Sequence, residues 1–226
     1  YGLELVASRV TWTGVSFEGF VSCAISIGEQ GRTLADLVLA NLHVKMPAGG
    51  DGIGIFPDHR STKKPVVDGL LLEGIEVTGA DQGVTVGSGP VNNLVLRDLT
   101  VKNRSTAGGN SGADAIAVES GANILIDGAE VTGAEGDGID LKATRVAVLN
   151  IHVHPVDRNG VKLWHGGDLV NALVHDTGAD AAVVLARGAA ATGTGPAIRY
   201  RIVNAVVAFH NRRSGASSYS LTCGYD

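Results

Sequence analysis

Asp114, Asp137, Asp140, Lys142 and Lys162 are the residues of this 226-residue chain whose types and spacing suit chemistry. Asp114, Asp137 and Asn159 each stand two residues before an apolar–any–apolar triplet. If the triplets stack, the Asp114 and Asp137 carboxylates come within about 5–6 Å, a range for paired acid–base work. Like charges that close would raise one pKa. Alternation along the triplets points Glu119, Asp140, Lys142, Lys162 and Trp164 outward. Stacking places Asp140 beside Lys162 and Lys142 beside Trp164. A lysine held among carboxylates could act as a base if its pKa fell, or could hold an anionic ligand. Trp164 could be a flat binding platform, with Arg158 and His165 at its edges. The same residues also have plainer readings. Asp-Gly and Asn-Gly are ordinary turn pairs, and mixed charges on neighbouring strands can be an ion-pair ladder.

His152, His154 and His175 form a second group, expected to face outward on two adjacent levels with Asp157 and Asp176 nearby. Two histidines and a carboxylate can ligate a metal. The spacing matches no dedicated metal motif, so no metal ligands are assigned. The segment 56–65 is the most basic stretch, either a clasp for an acidic ligand or a solvated loop. Asn103-Arg104-Ser105 is a glycosylation sequon.

These side chains need an element that repeats. The triplet recurs with first apolar positions at 3, 25, 53, 84, 116, 139, 161, 183 and 219. Each unit holds a second alternating stretch, as in Leu70-Leu71-Leu72 and Leu94-Val95-Leu96. A third follows, as in Ile75-Glu76-Val77 and Leu99-Thr100-Val101. Between them runs a polar column: Gly14, Asn41, Gly74, Asp98, Gly128, Asn150, Asn171 and Asn204. Three short strands per unit make one turn of a coil, with like residues stacked as parallel strands around an aliphatic core. The polar column sits at a bend, where Asn, Asp and Gly tolerate left-handed backbone and can ladder side chain to side chain. No stretch shows helical apolar spacing. The expected architecture is all-β: one single-stranded parallel β-helix domain over 1–226, of about eight rungs with three short strands each, possible truncation at both ends included. Insertions fall at roughly 28–36, 56–66, 103–113 and 186–199. Trp12 is expected in the core.

The outward column of the second stretch exposes Val38, Leu71, Val95 and Leu125 in succession. Contiguous apolar patches rarely face water, so a covering segment or an oligomer contact is expected there. The 32 glycines and four phenylalanines suit many short strands and tight turns. A formal charge of -5 argues against nucleic-acid binding. There is no run long enough to span a membrane as an apolar helix. Cys23 and Cys223 fall on turns near opposite ends, too far apart for a disulfide within the chain.

The recurrent texture of Gly138-Ile139-Asp140-Leu141 and Asn123-Ile124-Leu125-Ile126 resembles the pectin-lyase-like superfamily of parallel β-helices. The right hand of the coil comes from that resemblance and the crossover rule. Asp137-Gly138-Ile139-Asp140 is similar to the Asp-Gly-Phe-Asp segments of polygalacturonases, although Gly136 stands where a second aspartate would precede it. Asn159-Gly160 replaces a His-Gly pair, and Ala181-Ala182 occupy the place of an Arg-x-Lys motif. The resemblance implies an extracellular or periplasmic lyase or hydrolase acting on uronate-containing polysaccharides. Its catalytic residues would be Asp114, Asp137, Asp140, Lys142 and Lys162, and its substrate-binding residues Trp164, His165, Arg158 and Glu119. A lysine or histidine would remove a proton, or Asp114 and Asp137 would share acid–base work. The departures favour an alternative, a non-catalytic adhesion or glycan-binding β-helix. Calcium at Asp137 and Asp140 is the cofactor the resemblance would imply, though two carboxylates supply few oxygens.

Overall fold

A computed structural model describes residues 2–28, 31–46, 50–55, 66–87, 89–103, 112–178, 181–187, 198–208 and 219–225. The described secondary structure is strand, and all strand pairs are parallel. The strands lie in two sheets, and the chain passes from one to the other and back as it advances. The first sheet stacks Leu3–Leu5, Cys23–Ile27, Asp51–Ile55, Gln82–Val86, Ile116–Val118, Ile139–Leu141, Val161–Leu163, Ala181–Arg187 and Tyr219–Tyr225 in sequence order. The second stacks Thr11–Thr13, Thr33–Ala40, Val66–Thr78, Val91–Lys102, Gly121–Thr132, Thr144–Val153, Gly167–His175 and Tyr200–Ala208, with Ser16–Glu18 and His43–Lys45 beside them. This alternation is the winding of a parallel β-helix.

The apolar alternation explains the core. Leu39, Leu72, Leu96, Ile126 and Val148 sit in one register column and are fully buried. Ile25, Ile53, Val84, Ile116 and Ile139 do the same in the first sheet. The first sheet follows the expected positions up to Val183, then departs. Leu221, not Tyr219, pairs with Val183. A slip of two residues keeps every side chain on its face, so alternation alone cannot detect it.

The bend column is where the sequence places it. Asn41, Asp98, Asn150, Asn171 and Asn204 have φ between 50° and 54°. Side-chain amides run along it: Asn204 donates to Asn171, Asn171 to Asn150, and Asn150 to Asp127, at 2.8, 3.0 and 2.7 Å. From Val66 onward the second and third stretches form one strand bent at this left-handed residue, not two separate strands. A further left-handed column, Asp36, Asn93, Asn123 and Arg145, opens the second sheet and was not anticipated. Thr33–Asp36 belong to a strand and not to an insertion. The segment 56–65 and most of 103–113 lie outside the described residues.

Trp12 is 37% exposed, contrary to its expected burial. Its strand is the first of the second sheet and, among the described residues, pairs on one side only, with Trp12 beside Leu39. Cys23 is buried and free. Its strand and the strand of Cys223 are second and ninth in the first sheet. Seven strand spacings come to about 34 Å, well beyond disulfide reach. No helix among the described residues is long and apolar enough to cross a membrane.

Candidate functional site

The first sheet positions the carboxylates. Ile116–Val118, Ile139–Leu141 and Val161–Leu163 pair in register, with Ala117 beside Asp140 and Asp140 beside Lys162. The stack continues ahead of the strands, where Ala115 N–H donates to Asp137 O and Gly138 N–H to Asn159 O. Asp114 and Asp137 therefore sit on adjacent levels. One carboxylate oxygen from each of Asp114, Asp137 and Asp140 lies within 4.8 Å of the others.

Asp140 stands in the expected outward column, beside Lys162, but is covered there. It and Asp137 are each only 6% exposed. The Trp164 indole N–H donates to Asp140 Oδ1 at 2.6 Å. The Lys142 ammonium is 3.6 Å from Asp140 Oδ2 and 5.6 Å from the Trp164 ring, while Lys162 is 4.3 Å from that ring. These long side chains close over a position that alternation would leave open. Trp164 is thus engaged by Asp140 and both lysines.

Oriented donors hold the carboxylates. Asp114 Oδ1 accepts the Asp137 amide at 2.6 Å. Asp137 Oδ1 accepts the Asn159 backbone and side-chain N–H groups, both at 2.9 Å. Gly136 is required for this approach. A Cβ there would lie 2.3 Å from Asp114 Oδ1 and 2.5 Å from Gly112 O. The glycine that breaks the polygalacturonase-like pattern makes room for the Asp114 carboxylate.

Burial, then the charge of Asp137, pushes the Asp114 pKa up to about 7. The same two causes push Asp140 up to about 6, against the pull of Lys142 and the Trp164 hydrogen bond. Burial works to lower the Lys142 pKa, but Glu119 and Asp140 outweigh it, and the pKa is raised. Lys142 donates to both Glu119 oxygens at 2.8 Å.

Glu119 thus joins the cluster through Lys142. Arg158 is exposed, with its guanidinium over Gly112, where a Cβ would meet it at 3.0 Å. His165 is half-buried and has no hydrogen bond or ion pair to the cluster among the described residues. Val38, Leu71, Val95 and Leu125 form the expected column, continued by Ala147, Asp168 and Arg201. All four apolar side chains are half-buried. The Asp168–Arg201 ion pair, 2.9 Å, ends the stripe.

No family model matches the chain, and no curated protein matches it. Among solved structures, a trypsin-treated variant of QnrB1, a plasmid-mediated fluoroquinolone resistance protein, is matched at 10% identity and a TM-score of 0.23. The match covers 91% of this chain and 90% of that one. The expected lyase or hydrolase for uronate-containing glycans, with its glycan-binding alternative, is supported by none of these comparisons and is withdrawn.

Proposed function

We propose that the carboxylate cluster is the functional centre of the chain and that it binds a hard divalent cation, calcium fitting best. The observation that carries this is the convergence of Asp114, Asp137 and Asp140 oxygens within 4.8 Å. Calcium takes oxygen ligands at roughly 2.3–2.6 Å, so ligand atoms on opposite sides of one ion are about 5 Å apart. Burial first, and then the charge of Asp137, raises the pKa of Asp114 and Asp140. The hydrogen bonds of Lys142 go to Glu119 and not to these carboxylates. Asp114, Asp137 and Asp140 would hold the ion. The Asp137 amide, Asn159 and Trp164 would orient them, and Lys142 and Lys162 would trim the net charge. An ion there would supply the positive charge that lets the carboxyls ionise together.

A second reading is favoured by Asp114. A carboxyl titrating near neutrality beside a charged carboxylate is equipped to exchange protons as a general acid or base. On either reading the scaffold is taken as one right-handed β-helix domain over 1–226, of about eight rungs.

Calorimetric titration of the full chain with calcium at pH 7.5 tests the cation reading. One site is expected, weakened at least tenfold in Asp137→Asn. No binding at millimolar calcium by a folded chain would overturn it. The acid–base reading would then be tested by the titration of the Asp114 carboxyl carbon in NMR, expected near pH 7.

A further inference from the structure

His152 lies in the strand Thr144–Val153, His154 just past its end, and His175 at the end of Gly167–His175. The register pairs Val153 with Val174, which brings His154 alongside His175. The ring centroids are 3.9 Å apart for His152 and His154, 4.5 Å for His154 and His175, and 5.1 Å for His152 and His175. One nitrogen from each ring lies within 4.8 Å of the others.

The tautomers follow from the partners. Asp176 Oδ2 lies 2.9 Å from His175 Nδ1, which makes Nδ1–H the donor and leaves a lone pair on Nε2. His152 Nε2, 2.9 Å away, then donates to that lone pair. His154 Nε2 is buried and has no hydrogen-bond partner. Buried polar atoms are nearly always satisfied, so one that is not calls for a missing ligand, ion or water. Burial, then the neighbouring imidazoles, holds the pKa of His152 and of His154 below the usual imidazole value. Neutral imidazole is the ligating form. The carboxylate behind a ring, as Asp176 stands behind His175, is a common support for metal-bound histidine.

We propose that His152, His154 and His175 bind a divalent transition-metal ion of the zinc class, with Asp176 fixing His175 in its ligating tautomer. Imidazole suits zinc, copper and nickel, whereas all-oxygen sites select calcium and magnesium. The two clusters therefore differ in the ions they take. In a tetrahedral site with Zn–N of about 2.0–2.1 Å, ligand nitrogens stand roughly 3.3 Å apart. The His152–His175 pair must open by only a few tenths of an ångström, the His152 proton must move from Nε2 to Nδ1 by exchange with water so that Nε2 presents a lone pair, and His154 must swing inward. Three imidazoles leave a fourth position to water. The ion would cross-link the ends of two paired strands of the second sheet.

The test uses the full chain, stripped with a chelator and titrated with zinc chloride at pH 7.5 against a chromophoric competitor. One zinc per chain is expected. His154→Gln and His175→Gln should each weaken it at least tenfold, while Asp137→Asn, which disrupts the carboxylate cluster, should leave it unchanged. Cobalt substitution adds a readout that needs no variant: strong visible bands from a four-coordinate nitrogen site. The proposal is overturned if the folded chain retains no zinc or if the triple His→Gln chain binds it equally well. Loss of binding in Asp137→Asn, or only the weak bands of six-coordinate cobalt, would also overturn it.

Discussion

Asp114 accepts the Asp137 amide at 2.6 Å, while burial and the Asp137 charge lift its pKa to about 7. A carboxyl raised above its unfolded value, near 3.9, binds its proton more tightly when folded. The stability it adds is present at low pH and is lost as pH rises from about 4 to about 7. Asp140, lifted to about 6, acts in the same direction over a narrower window. His152 and His154 have lowered values and act oppositely, costing stability as pH falls below the usual imidazole range. Without divalent cations, urea unfolding at stepped pH should show Asp114→Asn removing a fall of roughly 2–4 kcal/mol between pH 4 and 7. An unchanged slope in that variant would mean that Asp114 does not carry the charge strain. The Asp114/Asp137 pairing was legible in the sequence because both residues precede a repeating triplet. The burial of Asp140 was not, because alternation gives the side of a strand and not what folds over it. Its burial depends on the reach of Trp164 from the next level and of Lys142 from two residues along the same one.

At the scale of the strand, the bends carry as much information as the apolar residues. Asn150 combines a φ of 53° with two side-chain hydrogen bonds, to Asp127 and from Asn171. Alanine there meets the left-handed penalty and breaks the ladder, at a cost of about 2–3 kcal/mol. Glycine restores the backbone freedom and loses only the ladder, so Asn150→Gly should cost about half as much. Urea midpoints of the two variants measure the difference. Equal losses would show that the side-chain ladder, not the backbone angle, sets the cost. The bend column was readable because few residue types tolerate that conformation. The second column was hidden: Arg145 breaks the Asn/Asp pattern, and Asp36 was assigned to an insertion. The Tyr219 register slipped for a related reason, since a shift of two leaves the facing pattern intact.

For the molecule as a whole, stability is shared along the stack, each level contacting mainly the ones above and below. Leu96 is fully buried between Leu72 and Ile126. Leu96→Ala should cost about 2–5 kcal/mol in thermal or urea unfolding. Leu5, in the first strand of its sheet, has a partner strand on one side only among the described residues. Leu5→Ala should cost clearly less, and equal losses would argue against nearest-neighbour stacking. The winding was legible at this scale because a period of 22 or 23 residues recurs in the sequence. Activity was not, since the same coil accepts many sites. Its chemistry depended on departures from the repeat, such as Gly136 and Trp164.

Trp164 is one of two tryptophans, and the other, Trp12, lies far along the chain at the first strand of its sheet. Its indole N–H ends on Asp140, and two ammonium groups lie near its ring. The charge state of the carboxylates is therefore wired to an intrinsic fluorophore. Whatever fills or empties the cluster, proton or cation, changes the electric field across that indole and so its emission colour, giving the chain a built-in optical gauge of its own site.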